Sequence, residues 1–158
     1  MTKPKYELLF LALGGAAEIG MNVNLYGCDV KWVMVDLGMT FADPGYPGID
    51  LILPDLEFIE ERADDLLGIV LTHGHEDHIG AIPYLANDLD VPLYATPFTA
   101  GLVRRKLEEA GLEKDVELNM SGRFQAYNVL EREEEEKRNM QLALKPASHQ
   151  LKDDEHQS

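Results

Sequence analysis

The feature that most constrains this chain is a group of histidines at the end of a predicted buried strand. Residues 72–80 read Thr-His-Gly-His-Glu-Asp-His-Ile-Gly and contain three of the five histidines. The segment before them, Leu66 to Leu71, is apolar and partly β-branched, which predicts a strand. The apolar segment from Ile79 to Ala86 predicts the start of a helix. The histidines therefore lie on a strand-to-helix turn, where α/β proteins place ligands.

The spacing of these side chains favours metal binding. Positions i and i+2 of an extended or turning backbone project to the same side, so His73 and His75 can hold one ion together. Asp77 and His78 follow where the chain turns into the helix and can face a second ion. Imidazole suits zinc, and a carboxylate adds a hard ligand. Gly74 leaves the backbone free to approach an ion closely.

Two further readings remain open at this stage. The histidine turn could be a solvated polar turn that groups surface histidines incidentally, although ligand type, spacing and placement favour a metal site. Asp36 ends another predicted strand at the same sheet edge. It could orient a metal-bound histidine or water, or it could simply cap the next turn.

The other predicted elements fit an α/β chain. A turn is predicted at residues 27–29 and a surface loop at residues 41–54, which are rich in glycine and proline. Thr96 and Pro97 are typical of a helix start, and Gly111 of its end. The remaining predictions are strands at 6–13, 23–26, 30–35, 92–95 and 116–118, and helices at 56–62 and 81–89.

The histidine turn also resembles a known family. The pattern His73-x-His75-x-Asp77-His78 is similar to the signature of the metallo-β-lactamase fold hydrolases. Residues 35–38, Val-Asp-Leu-Gly, resemble the first motif of that fold.

Two more segments narrow the resemblance to ribonuclease J, of the β-CASP family. They are residues 14–22, Gly-Gly-Ala-Ala-Glu-Ile-Gly-Met-Asn, and residues 48–55, Gly-Ile-Asp-Leu-Ile-Leu-Pro-Asp. The resemblance covers about Lys5 to Phe124.

The resemblance implies a zinc-dependent hydrolase that cleaves RNA phosphodiester bonds, inside the chain or from an end. The implied cofactor is a pair of zinc ions that lower the pKa of a shared water for attack on phosphorus. His73 and His75 would hold the first ion, and Asp77 and His78 the second. Asp77 and His78 are also the candidate catalytic residues, and Asp36 would orient a ligand.

The implied fold is an α/β (α+β) αββα sandwich of two facing sheets. Residues 1–125 would supply the amino-terminal half, and residues 126–158 a charged, divergent or disordered tail. The family's second sheet carries further ligands, for which His149 is a candidate, with a plain tail histidine as the alternative. The chain is therefore expected to be an incomplete catalytic domain that binds metal weakly and has little catalytic turnover. Its uncovered sheet face predicts marginal stability or a homo-oligomer.

Composition limits the partners. The net charge of −15 argues against a general nucleic-acid surface, although a metal pair would make a local positive spot. The resemblance implies that much of the RNA-binding surface lies in a separate β-CASP domain. Arg104, Arg105 and Lys106 could touch phosphate, but a solvated helix face is favoured. The single cysteine, Cys28, and the lack of a recognisable signal peptide or membrane span predict a cytoplasmic protein.

Two alternative functions stay open. One is a hydrolase of the same fold that acts on a small thioester or lactam, because fold alone does not choose the substrate. The other is a non-catalytic remnant that binds metal or a partner protein.

Overall fold

The computed structural model describes residues 7–18, 20–43 and 45–120. They form a mixed α/β structure around a six-stranded sheet of order β1-β2-β3-β6-β7-β8, with a separate ribbon of β4 and β5. The strands are β1 (Leu8–Gly14), β2 (Val23–Cys28), β3 (Lys31–Val35), β4 (Thr40–Phe41), β5 (Leu51–Ile52), β6 (Leu66–Leu71), β7 (Leu93–Ala95) and β8 (Leu118–Met120). The helices are α1 (Glu57–Glu60), α2 (Glu76–Ile79), α3 (Ile82–Leu89) and α4 (Pro97–Ala110), with a 3-10 turn at Ala63–Asp65.

The first three strands pair antiparallel, but the predicted turn between β2 and β3 was wrong. Strand β2 continues through Gly27, which pairs with Trp32. A Cβ at Gly27 would lie 2.7 Å from the Trp32 ring, so the glycine makes room for the indole instead of forming the turn. The turn lies at Asp29 and Val30, which have φ of 49° and 68°. Two residues with positive φ suit the twist of a tight hairpin.

The other half of the sheet is parallel. Strand β6 pairs with β3 on one side and β7 on the other, and β7 pairs with β8. The predicted bounds of β6 are confirmed. Strand β8 begins two residues later than predicted, because the amides of Asp115 and Val116 bond to the Leu112 carbonyl in a turn. The carboxyl ends of β3, β6 and β7 therefore share one edge of the sheet.

Helix α4 has the predicted bounds for a local reason. The Thr96 side chain accepts a bond from the Thr99 amide at 3.5 Å, Pro97 occupies the first turn, and Gly111 ends the helix with φ of 73°. Helix α3 carries Pro83 in its first turn. The predicted loop at 41–54 contains part of the short β4–β5 ribbon. No helix in the described part of the chain is both long and apolar enough to cross a membrane.

The core lies between the sheet and the helices. It joins sheet residues such as Leu25, Met34 and Ile69 to helix residues such as Ile82 and Val103, all fully buried.

The other face of the antiparallel strands carries exposed apolar side chains. Leu8, Phe10 and Tyr26 are exposed, and the two aromatic rings lie 5.2 Å apart. Exposed apolar side chains were expected on this face, while the self-association inferred from them stays a prediction. The 125/126 boundary, the charged segment 131–138 and His149 lie outside the described residues.

The segment after β3 packs directly onto α2. The amide of Leu37 donates to the His78 carbonyl at 2.8 Å, and the amide of Met39 to the Glu76 carbonyl at 3.1 Å. Gly38 lies between them, where a Cβ would collide with the Asp77 carbonyl. The two backbones can approach this closely only because residue 38 has no side chain.

Replacing Gly38 with alanine should therefore be costly. We expect a loss of about 2–3 kcal/mol in unfolding free energy, because the added methyl must displace backbone. Urea denaturation followed by circular dichroism measures it. Gly101→Ala is the matched control: it lies inside α4, and its added Cβ meets nothing within 4 Å beyond the adjacent backbone of its own helix, so it should be neutral or stabilising. Equal urea midpoints for Gly38→Ala and the wild type would contradict this close approach.

Candidate metal centre

Two parallel strands deliver the candidate residues to one place. Asp36 follows β3, and Thr72 and His73 follow β6. The Asp36 amide still donates to the Val70 carbonyl of β6 at 2.9 Å. Asp36 itself has φ of 65°, a left-handed conformation that ends the strand. The chain therefore turns sharply at the sheet edge, and the Asp36 side chain meets the loop after β6.

Asp36 is buried, and both of its carboxylate oxygens are engaged. Oδ1 accepts from the Thr72 amide at 2.8 Å, and Oδ2 accepts from the Thr72 hydroxyl at 2.8 Å. Oδ2 also lies 2.7 Å from Nδ1 of His78. Because an ionised carboxylate only accepts, His78 must carry a proton on Nδ1. Its Nε2 is then the atom with a lone pair to offer to a metal. This geometry is what a ligand-orienting role requires, and the role itself stays a prediction.

The three imidazoles lie together. The ring of His73 is 4.7 Å from that of His75 and 3.9 Å from that of His78, measured between centroids. The Thr72 hydroxyl is 3.0 Å from Nδ1 of His73. His75 has extended backbone angles and directly precedes α2, while His78 lies within it. The structure thus brings the three histidines together across the strand-to-helix turn.

The two acids of the turn point to different partners. Oδ2 of Asp77 lies 3.4 Å from Nε2 of His78, beside the histidines. The carboxylate of Glu76 instead bonds to Nζ of Lys106 on α4, at 2.6 and 2.8 Å. Of the two, Asp77 lies beside His78, and its assignment as a metal ligand stays a prediction. The contact of Glu76 with Lys106 was not predicted.

Asn22 is a member of the cluster that the sequence did not reveal. Its Nδ2 lies 2.9 Å from the Gly20 carbonyl and 3.1 Å from the Asp77 carbonyl. The same nitrogen is 3.3 Å from Oδ2 of Asp77 and 3.2 Å from Nε2 of His78. An amide nitrogen has two hydrogens for these four acceptors. If an ion were bound by Oδ2 of Asp77 and Nε2 of His78, the two amide hydrogens of Asn22 would be left with two acceptors, the carbonyls of Gly20 and Asp77. The surroundings of Asn22 therefore suit a bound metal.

The roles of Asn22 and Thr72 had only weak sequence signals. Asn22 closes the glycine-bearing loop that resembles ribonuclease J, and Thr72 opens the histidine turn. Their hydrogen-bond partners, Asp77 and Asp36, lie far away in the sequence, so residue spacing could not predict these contacts. Gly74 has a different neighbour from the expected one: a Cβ there would collide with Leu102 of α4. Its lack of a side chain is thus explained by packing against the helix.

The side chains of the cluster are of the types that bind zinc, but they are too few to complete its coordination. Imidazole nitrogens and a carboxylate are common zinc ligands. Among residues 7–18, 20–43 and 45–120, however, no group of three or more His, Cys, Asp or Glu side chains could hold an ion. The described residues offer the His73–His75 and Asp77–His78 pairs, and a zinc site normally takes three or four protein ligands. His149 lies outside the described residues.

Comparison with known proteins settles the family. The profile described as the Metallo-beta-lactamase superfamily matches residues 22–150, most of the chain. The chain belongs to the metallo-β-lactamase superfamily. The predicted α/β fold class is therefore confirmed. The match extends past the 125/126 boundary proposed from the sequence and includes His149.

Curated relatives of this metallo-β-lactamase chain confirm the resemblance to ribonuclease J. Ribonuclease J of Sinorhizobium meliloti is 52% identical over 104 residues, which cover 63% of this chain and 18% of that protein. Ribonuclease J of Helicobacter pylori is 43% identical over 110 residues, covering 70% of this chain and 16% of that protein. The chain thus spans less than a fifth of these relatives. Among solved structures, the short form of human tRNase Z matches 72% of this chain and 44% of that chain, with 17% identity and a TM-score of 0.45.

Replacing Asp36 with alanine tests the link to His78. The change leaves the Thr72 amide and the His78 Nδ1 proton without their acceptor, so we expect a loss of about 2–3 kcal/mol in unfolding free energy. We also expect His78 to shift from a single tautomer to a mixture, which ring nitrogen chemical shifts report in NMR. Asp88→Ala, at an exposed position of α3, is the control and should change neither property. A destabilised variant with an unchanged His78 tautomer would contradict the orienting role.

Proposed function

We propose that this chain is part of the catalytic domain of a zinc-dependent ribonuclease of the ribonuclease J type, which hydrolyses RNA phosphodiester bonds. The observation that carries the proposal is the convergence of His73, His75, Asp77 and His78 at one sheet edge. The relatives named ribonuclease J support the choice of RNA as substrate.

In this proposal His73 and His75 hold one zinc ion, and Asp77 and His78 hold the other. When bound, such ions activate a water and neutralise charge on phosphate oxygens. Asp36 keeps the proton of His78 on Nδ1, which leaves Nε2 available. Asn22 ties the Asp77 carbonyl to the loop before β2, so Asp77 and His78 keep their places.

The remaining ligands belong to a second half of the site. We propose His149 as one of them, and the superfamily match through residue 150 is compatible with this. Residues 1–125 then form one structural half, and residues 126–158 a separate segment. With paired donors alone, the chain should bind metal weakly and turn over RNA slowly or not at all.

The charge of the chain bears on how RNA would be held. A net charge of −15 disfavours broad contact with a phosphate backbone. Zinc in the cluster would supply the local positive charge, and further binding surface would come from a β-CASP domain of a longer protein. We also propose a cytoplasmic location, no membrane association, and self-association through the exposed apolar face.

One observation favours a second candidate function. In the described part of the chain, no three or more ligand side chains are arranged to hold an ion. A non-catalytic remnant, which binds metal loosely or binds a partner protein, would have this property. Zinc-dependent hydrolysis of RNA by this chain, even if slow, would exclude the remnant.

The central experiment compares the wild type with His75→Ala. We expect zinc binding, measured by isothermal titration calorimetry, to fall at least about tenfold in the variant because one of two paired imidazoles is lost. Any hydrolysis of a labelled RNA should fall with it. His156→Ala, which removes a histidine that is not part of the sequence motif at residues 72–80, is the control and should match the wild type. Equal zinc affinity in all three proteins would refute the metal site, and RNA hydrolysis that requires both zinc and His75 would exclude the non-catalytic remnant.

His149→Ala tests the additional ligand. If His149 contributes, zinc affinity should drop by a similar factor and the effect of His75→Ala should shrink in the double variant, because both act on one site. Calorimetry with all four proteins measures this. An affinity equal to that of the wild type would assign His149 to the tail.

A further inference from the structure

One side chain of the histidine turn is directed away from the proposed metals. Glu76 lies between His75 and Asp77 in sequence, but both of its carboxylate oxygens bond to Nζ of Lys106. The partners lie 30 positions apart, on α2 and α4. The Lys106 side chain is 24% exposed and that of Glu76 is 43% exposed. The pair is therefore more shielded from water than an ordinary surface ion pair.

The backbone of Glu76 is held as firmly as its side chain. Its carbonyl accepts from the Gly80 amide at 2.8 Å and from the Met39 amide at 3.1 Å. A Cβ at Gly80 would lie 2.9 Å from Oε2 of Glu76, so the carboxylate passes close over the end of α2. These contacts hold Glu76 on the side of the turn that faces α4.

Lys106 stands on a helix that packs into the core. Its neighbours on α4, Val103 and Leu107, are buried in the core. Leu102 of the same helix lies against Gly74, between the first two histidines. Helix α4 therefore contacts the histidine turn twice, once by packing and once by charge.

We propose that Lys106 is a positioning residue for the metal-binding turn, defined as residues 72–78. It fixes the turn to the core through Glu76 and keeps the Glu76 carboxylate from competing with Asp77 as a ligand. This inference rests on the proposed function, because a well-ordered turn matters only if its side chains must keep fixed positions to bind an ion.

The experiment compares Lys106→Met, Lys106→Arg and Arg105→Met in the full 158-residue chain. Arg105 is the matched control, because it pairs with Glu109 at 2.9 Å on the same helix while their side chains are 79% and 66% exposed. Amide hydrogen exchange by mass spectrometry reports on the turn without any metal. Titration with Co²⁺, followed by its visible absorption, reports on the donors.

We expect Lys106→Met to speed exchange across residues 72–78 about fivefold, with exchange in β2 and β6 unchanged. Co²⁺ affinity should fall about tenfold, as is typical when a partner of a ligand-bearing segment is lost. Lys106→Arg should restore both, and Arg105→Met should alter neither. Adding Glu76→Gln to Lys106→Met should cause little further change in exchange, because the ion pair is already broken, and should restore part of the Co²⁺ affinity, because the freed carboxylate no longer competes.

Two kinds of result would overturn the proposal. Unchanged exchange in the turn, or faster exchange throughout the chain, would show that Lys106 does not act locally on the turn. Tighter Co²⁺ binding in Lys106→Met would mean that Glu76 is a better ligand when free. Failure of the wild type to bind Co²⁺ would count against the proposed function alone, because the exchange comparison still decides whether Lys106 orders the turn.

Discussion

The site depends on hydrogen bonds that other segments donate to the backbone carbonyls of a very short helix. Helix α2 has four residues, so the carbonyls of Asp77 and His78 lack the intrahelical partners that a longer helix would supply. Amides from two other segments take that place: Asn22 bonds to Asp77, and Leu37 bonds to His78. The turn that carries the histidines is therefore held by its neighbours as well as by its own helix, which places three loops in direct contact.

Features with local causes were predictable from the sequence. Helix α4 was predicted to the residue, because a threonine cap and a terminal glycine act within one turn. Strand β6 was predicted equally well, since an apolar run bounded by polar residues has few alternatives. The histidine turn at its end is likewise local, and the family comparisons support its interpretation.

Features with long-range causes were not predictable. The β2–β3 turn was misplaced because Trp32 packs over Gly27, which no local pattern announces. The contacts of Asn22 with Asp77 and of Lys106 with Glu76 join positions 55 and 30 apart. Lys106 was assigned to a solvated helix face for the same reason: its sequence neighbourhood is charged, and its partner lies on another element.

The contact between Gly74 and Leu102 couples two distant positions in the chain. A side chain at residue 74 would meet the end of the Leu102 side chain, which is 37% exposed and would have to turn aside. A larger residue in the histidine turn is therefore accommodated most easily where residue 102 can move or is smaller. This position on α4 thus bears on which residues fit between His73 and His75, although it carries no donor of its own.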